Sequence, residues 1–322
     1  MIQSAVQVKF QAPPPDLAPY RRGNTGVDYV STFDSGRAGP HVMINALTHG
    51  NEVCGAYALD WLFSRGVRPA RGRLTLSFAN AEAYGRFDPA RPFDSRYVDE
   101  DFNRLWSPQV LGGPRISSEL KRARLLAPIV ESAHFLLDLH SMHQSSPALM
   151  LCGMQARAVA LGRRMGIPHY LVRDPGHEAG RRMRDYGAFD DPGSARTALL
   201  IECGQHWERA SADMALQASL RFLRTLEAVD AEWLDPHLAP LAAEPQVEIE
   251  VGAPVTIASR DFHFVRDFEG LEVIPRRGTV IARDGEREVT TPFDQCVLVM
   301  PARNVSPGLT AVRLGRIAGQ RI

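Results

Sequence analysis

Residues 41–65 read HVMINALTHGNEVCGAYALDWLFSR. His41 to Leu47 is a short apolar run of the kind that forms a buried strand. Val53 to Arg65 follows with apolar residues at helical spacing (Val53, Ala56, Tyr57, Leu59, Trp61, Leu62) and stops at Gly66. A buried strand feeding an amphipathic helix is the unit of an α/β sheet. The polar Thr48-His49-Gly50-Asn51-Glu52 falls at the turn between the two, where such sheets place their ligand sites.

The same alternation continues downstream. Leu74–Ala79, Phe135–Leu139, Leu149–Cys152 and Thr197–Ile201 read as strands. Helices are expected over Ser118–Glu131, capped by Ser117 or Ser118, over Gln155–Met165, and over Ala210–Val229. This rhythm predicts a sheet with helices on both faces. The character changes after Trp233, where Asp235 to Pro245 reads as a linker. Short β-like runs follow (Val247–Val251, Pro254–Ala258, Thr279–Ala282, Val297–Met300), split by turn signals such as Asp284-Gly285. The expected organisation is therefore an α/β catalytic domain over 1–235 and a small β domain over 246–322, which could cap the cleft.

The 322 residues carry 37 Lys and Arg against 37 Asp and Glu, a balance that argues against a nucleic-acid or anionic-membrane binder. At 44% hydrophobic there is ample material for a core. Lys9 and Lys121 are the only lysines, so nearly all positive charge is guanidinium, which grips carboxylates in a two-pronged way. No run approaches the roughly 18 apolar residues of a membrane helix. Met1 to Lys9 lacks the pattern of a secretory signal. Cys54, Cys152, Cys203 and Cys296 form no CxxC pair and read as buried thiols in a reducing cytoplasm.

Four loops or strand ends hold the chemistry-bearing residues. His49 and Glu52 lie three apart, so an imidazole nitrogen and a carboxylate can reach one ion. His140 leaves an apolar strand beside Asp138, a carboxylate able to orient its ring, and is a candidate third ligand; His143 is a competitor. Glu202 ends another strand and suits a proton shuttle in metal-assisted hydrolysis, where the ion acidifies water. Arg96 and Asn103-Arg104 share one loop with aromatic neighbours and could polarise a carbonyl and hold a carboxylate.

HxxE, then Arg…Asn-Arg, then Asp-Leu-His, then Ile-Glu-x-Gly, in that order and spacing, resembles the aspartoacylase/succinylglutamate desuccinylase branch of the zinc carboxypeptidase-like superfamily. The likeness runs from about His41 to Gln205 and more loosely beyond. It implies a mixed-sheet α/β/α domain followed by a small all-β domain. It also implies one zinc per chain held by His49, Glu52 and His140, with Glu202 as general base and acid. Arg96 would polarise the scissile carbonyl, Asn103 and Arg104 would bind the substrate's polar end, and Asn80 would be structural. Two departures stand out. The family uses a tyrosine from its C-terminal domain, yet Tyr186 is the last tyrosine here. The arginine that grips an acidic side chain has no firm match, with Arg196 the nearest candidate and Arg173 or Arg182 behind it. Met142, His143, Gln205 and His206 are further candidates for setting specificity.

The function expected on this basis is zinc-dependent hydrolysis of a small amide, deacylating an N-acyl amino acid or related compound. A carboxypeptidase on the same site is the alternative, and a non-catalytic zinc-binding relative a more distant one. Nucleotide chemistry is excluded by the lack of GxGxxG or GxxxxGK[ST] after a strand. The expected partner is a small anionic amide substrate, not nucleic acid or membrane, and a homo-oligomer is left open.

Overall fold

The computed structural model describes residues 14–302 and 305–318, so Met1 to Lys9 lies outside the described residues. One sheet of eleven strands runs through it in the order β1-β3-β2-β4-β7-β5-β6-β8-β14-β13-β10. The first seven in chain order are β1 (Val30–Asp34), β2 (His41–Ala46), β3 (Arg73–Phe78), β4 (Phe135–Met142), β5 (Leu149–Leu151), β6 (Tyr170–Arg173) and β7 (Thr197–Gln205). Strands β3, β2, β4 and β7 are mutually parallel, while β1 and β5 join them antiparallel. The helices are α1 (Cys54–Ser64), the single turns α2 (Ala81–Tyr84) and α3 (Pro108–Leu111), α4 (Ser118–Ser132), α5 (Ala156–Met165), α6 (Arg209–Thr225) and the short α7 (Ala231–Leu234).

The sheet is covered on both faces, which is why its central strands are buried along nearly their whole length and do not alternate. Leu59 and Leu62 of α1, Leu161 of α5 and Leu220 and Leu223 of α6 bury one face with Ile44, Leu137 and Ile201. Leu120, Leu126 and Val130 of α4, with Trp106, bury the other against Met43, Leu136 and Ala198. Each fully buried side chain of this kind contributes about 1.5–3 kcal/mol by leaving water. Ser117 is the N-cap of α4, its hydroxyl accepting from the Leu120 amide at 2.9 Å.

From Val247 onward the regular elements among the described residues are all strands: β8 (Val247–Thr256), β9 (His263–Phe264), β10 (Glu272–Ile274), β11 (Val280–Asp284), β12 (Arg287–Thr290), β13 (Cys296–Val299) and β14 (Thr310–Ile317). Strand β8 pairs parallel with β6, so the antiparallel run β8-β14-β13-β10 prolongs the main sheet. Strands β12, β11 and β9 form a separate small sheet. The two runs expected at 247–251 and 254–258 are largely one strand, β8. All four cysteines are free and buried. No helix among the described residues is long and apolar enough to cross a membrane.

Candidate active site

His49, Glu52 and His140 converge although the chain separates them widely. Strand β2 lies beside β4, so the turn after β2 and the end of β4 meet at the same edge of the sheet. The backbone is tight there. A side chain at Gly50 would meet the Ser95 carbonyl oxygen at 2.4 Å, so only glycine lets the loop before Arg96 lie against this turn. The Gly50 amide then donates to the Arg96 carbonyl at 3.0 Å.

Glu52 bridges the two imidazoles, with Oε1 2.7 Å from His49 Nδ1 and Oε2 2.8 Å from His140 Nδ1. Each ring turns its other nitrogen to a second carboxylate: His49 Nε2 lies 3.0 Å from Asp101 and His140 Nε2 2.8 Å from Asp138. Such partners fix the tautomer and leave both Nδ1 lone pairs facing inward. Asp138 is itself fully buried and accepts from Asn45 at 2.8 Å and Thr48 at 2.9 Å. Burial alone would raise the Glu52 carboxyl, but His49 and His140 hold it well below the usual carboxylate range. Burial likewise opposes protonation of His140, yet Asp138 and Glu52 push its pKa well above the ordinary histidine value.

Two imidazole nitrogens and a carboxylate oxygen within 4.8 Å of one another are a donor set that suits zinc. If Asp138 orients His140, Asp138→Asn is expected to weaken zinc binding by roughly 10–100-fold in a chelator competition, and unchanged affinity would dismiss that role.

Glu202 stands beside this cluster because β4 and β7 pair in parallel with His140 opposite Glu202. Register partners project to the same face, so strand pairing supplies the proximity that sequence separation conceals. Glu202 is 8% exposed, and its Oε2 has no hydrogen-bond partner among the described residues. Burial pushes its carboxyl up to about 8, with Glu52 and Asp138 adding to the shift and His140 and Arg96 opposing it. Arg96 reaches over the cluster, 3.4 Å from Glu52 and 3.2 Å from Asp101.

Asn103 and Arg104 flank the same loop differently. Asn103 is buried, its Oδ1 accepting from the Met183 amide at 2.9 Å, while Arg104 NH1 donates to the Asn103 carbonyl at 2.8 Å. Asn80 bonds Glu119 at 3.0 Å and caps α2 through the Ala83 amide.

Sequence reasoning missed what holds this loop. Glu119 is fully buried, and its carboxylate also accepts from the amides of Val98 (2.6 Å), Asp99 (3.0 Å) and Glu100 (3.2 Å). In sequence it looks like an ordinary acid in a helix's first turn. Glu119→Ala would strand these donors, so a loss on the order of 3 kcal/mol is expected in chemical denaturation, and a loss below ~1 kcal/mol would contradict this role.

The loose candidates disperse. Arg196 immediately precedes β7, at the end remote from Glu202, and donates to the Glu131 carbonyl. Arg173 turns toward Glu248 and Glu250, and Tyr186 bonds Glu131. His206 packs near the His49–Glu52–His140 cluster, with Nδ1 2.7 Å from the Ser141 hydroxyl and its ring 4.8 Å from that of His143.

Residues 38–228 match the model of the succinylglutamate desuccinylase/aspartoacylase catalytic domain. The chain belongs to this family. The family comprises hydrolases of amide bonds, and the chain is similar over most of its length to a probable aspartoacylase of Parasynechococcus marenigrum (strain WH8102). That relative is 33% identical, with 78% of this chain and 86% of the relative covered. An N-acyl-aromatic-L-amino acid amidohydrolase (carboxylate-forming) of Rattus norvegicus is 31% identical over 42% of this chain and 43% of its own length. The fold is that of a succinylglutamate desuccinylase from Vibrio parahaemolyticus, with TM-score 0.66 at 17% identity over 91% of this chain and 87% of that one. The mixed α/β architecture expected from the sequence is thereby borne out.

Proposed function

We propose that this member of the family is a zinc-dependent deacylase that cleaves the amide bond of an N-acyl amino acid or a closely related small anion. The observation that carries the reading is the inward convergence of His49 Nδ1, His140 Nδ1 and Glu52 beside a buried Glu202 with an unpartnered oxygen. Zinc at the three ligands would supply Lewis acidity to the substrate carbonyl and to water. Glu202 takes a proton at its free Oε2 and returns it to the leaving amine. Arg96 donates to the carbonyl oxygen as negative charge grows there. Arg104, whose guanidinium is one-fifth exposed, holds a substrate carboxylate, and Asn103 fixes the backbone from which Arg104 projects.

The alternative, carboxypeptidase action, needs an open groove. Contacts from the C-terminal β segment favour a small substrate instead: Gln144 after β4 donates to the Pro301 carbonyl at 3.1 Å, and Thr256 to Glu178 at 2.7 Å. Buried free thiols suit a reducing compartment, and we read the enzyme as cytoplasmic. The test is a screen of zinc-loaded protein against N-acetyl, N-succinyl and N-formyl amino acids beside dipeptides. Hydrolysis within the N-acyl panel supports the reading; cleavage of dipeptides alone replaces it with a peptidase.

A further inference from the structure

Arg313 comes from β14, far along the chain from every residue named above as part of the site. Its neighbours Val312 and Leu314 bury among the side chains of the small β layer. Arg313 lies between them on the opposite face, paired in register with Val299, which packs with Val251, Val172 and Leu200. Leu200 and Glu202 alternate on one strand, so Arg313 and Glu202 share a face of one continuous sheet.

The guanidinium of Arg313 is 11% exposed and ion-paired through Nε, 3.1 Å from Asp174 Oδ2. The other oxygen of Asp174 is taken by Arg182 at 2.7 Å, and Arg182 is further held by Asp185 at 2.6 Å. Arg182 adjoins Met183, whose amide bonds Asn103, and Gly180 packs directly on the Arg104 backbone. The C-terminal strand is thus tied through Asp174 to the loop that carries Arg104.

Guanidinium groups crowd this corner. Arg104, Arg182, Arg184 and Arg313 gather around Asp174 and Asp185; Asp101, engaged by His49 and Arg96, stands 3.9 Å from Arg104, and Glu202 and Glu178 act on Arg313 from further off. Arg182 is clamped between Asp174 and Asp185, whereas the two amino groups of Arg313 make no hydrogen bond with the described residues. Each of Arg104 and Arg313 is pushed down, first by burial, and Arg182 repels both; Glu202 is near enough to pull Arg313 back up. An anion placed between Arg104 and Arg313 would relieve this repulsion with charge-assisted bonds.

We propose that Arg313 is a specificity-determining residue, whose two free amino groups join Arg104 in gripping a carboxylate of the substrate, so that the enzyme selects anionic amides over neutral ones. The C-terminal segment then contributes a guanidinium to the cleft of a chain that has no tyrosine beyond Tyr186. The inference rests on the deacylase reading for its substrate, but its test does not require turnover.

Binding of succinate and of succinamide is measured by calorimetry on zinc-loaded wild-type enzyme, Arg313→Gln and Arg313→Lys. Wild type is expected to prefer succinate by ~10-fold or more, and Arg313→Gln to lose roughly 10–100-fold on succinate but under ~2-fold on succinamide. Arg313→Lys keeps a charge beside Asp174 but not the fork, so about a 3-fold or greater loss on succinate alone is expected, and this variant decides if the glutamine protein does not fold. Equal losses on both ligands, undiminished succinate binding in the variants, or no wild-type preference would each overturn the proposal. Inactivity of wild type on the whole N-acyl panel removes the deacylase reading and leaves the succinate comparison intact.

Discussion

Glu202→Ala is expected to lower kcat by roughly 10²–10⁴-fold while the purified protein still carries one zinc per chain. Glu202 makes none of the contacts that bring the two imidazoles and Glu52 together, so its removal spares the ligand cluster. What disappears is a buried carboxylate oxygen beside the cluster that has no hydrogen-bond partner among the described residues. Glu202→Gln keeps the shape but cannot accept and return a proton, so it should lose activity to a similar extent. Turnover near wild type in either zinc-replete variant would remove Glu202 from its role.

Glu52→Ala is expected to abolish both zinc binding and activity. Glu52 is the hinge of the cluster, since its two oxygens separately face His49 and His140. Without it, two buried imidazoles remain with no carboxylate between them, and the Ser141 amide, 3.3 Å from Oε2, loses its acceptor. The fall in zinc affinity should exceed the roughly 10–100-fold that an outer partner such as Asp138 is worth. Metal analysis after dialysis checks this, and retention of stoichiometric zinc would show that the ion is held elsewhere.

The α/β part of the fold was legible because period and chain breaks agree: Val53–Arg65 has helical spacing, and β2, β4 and β7 each hold a short apolar run and are buried along nearly their whole length. β1 and β6 carry only weak sequence signals, for a physical reason. Val30–Asp34 is half-buried at the sheet edge, and Tyr170–Arg173 is only four residues with mixed polarity. In the C-terminal segment, β8 and β14 carry register irregularities that disrupt alternation, and nothing local states that β8 will pair with β6.

The convergence of His49, Glu52 and His140 was foreseeable because the residue types are diagnostic and lie at strand ends. The residues around them were not. Asp101, Glu119 and Asp174 look like ordinary acids in sequence, and only their placement beside His49, the loop amides and Arg313 sets them apart. Arg196 illustrates the converse: six residues before Glu202 is close in sequence, but a strand rises about 3.3 Å per residue, which carries it some ~20 Å away.

Anomalous diffraction from crystals of the zinc-loaded enzyme, collected on both sides of the zinc absorption edge, addresses the site most directly. A single peak per chain bounded by His49 Nδ1, His140 Nδ1 and the Glu52 carboxylate is expected, with Glu202 adjacent and not ligating. A peak at other residues, or none there in protein that hydrolyses its substrate, would contradict a zinc centre at this cluster.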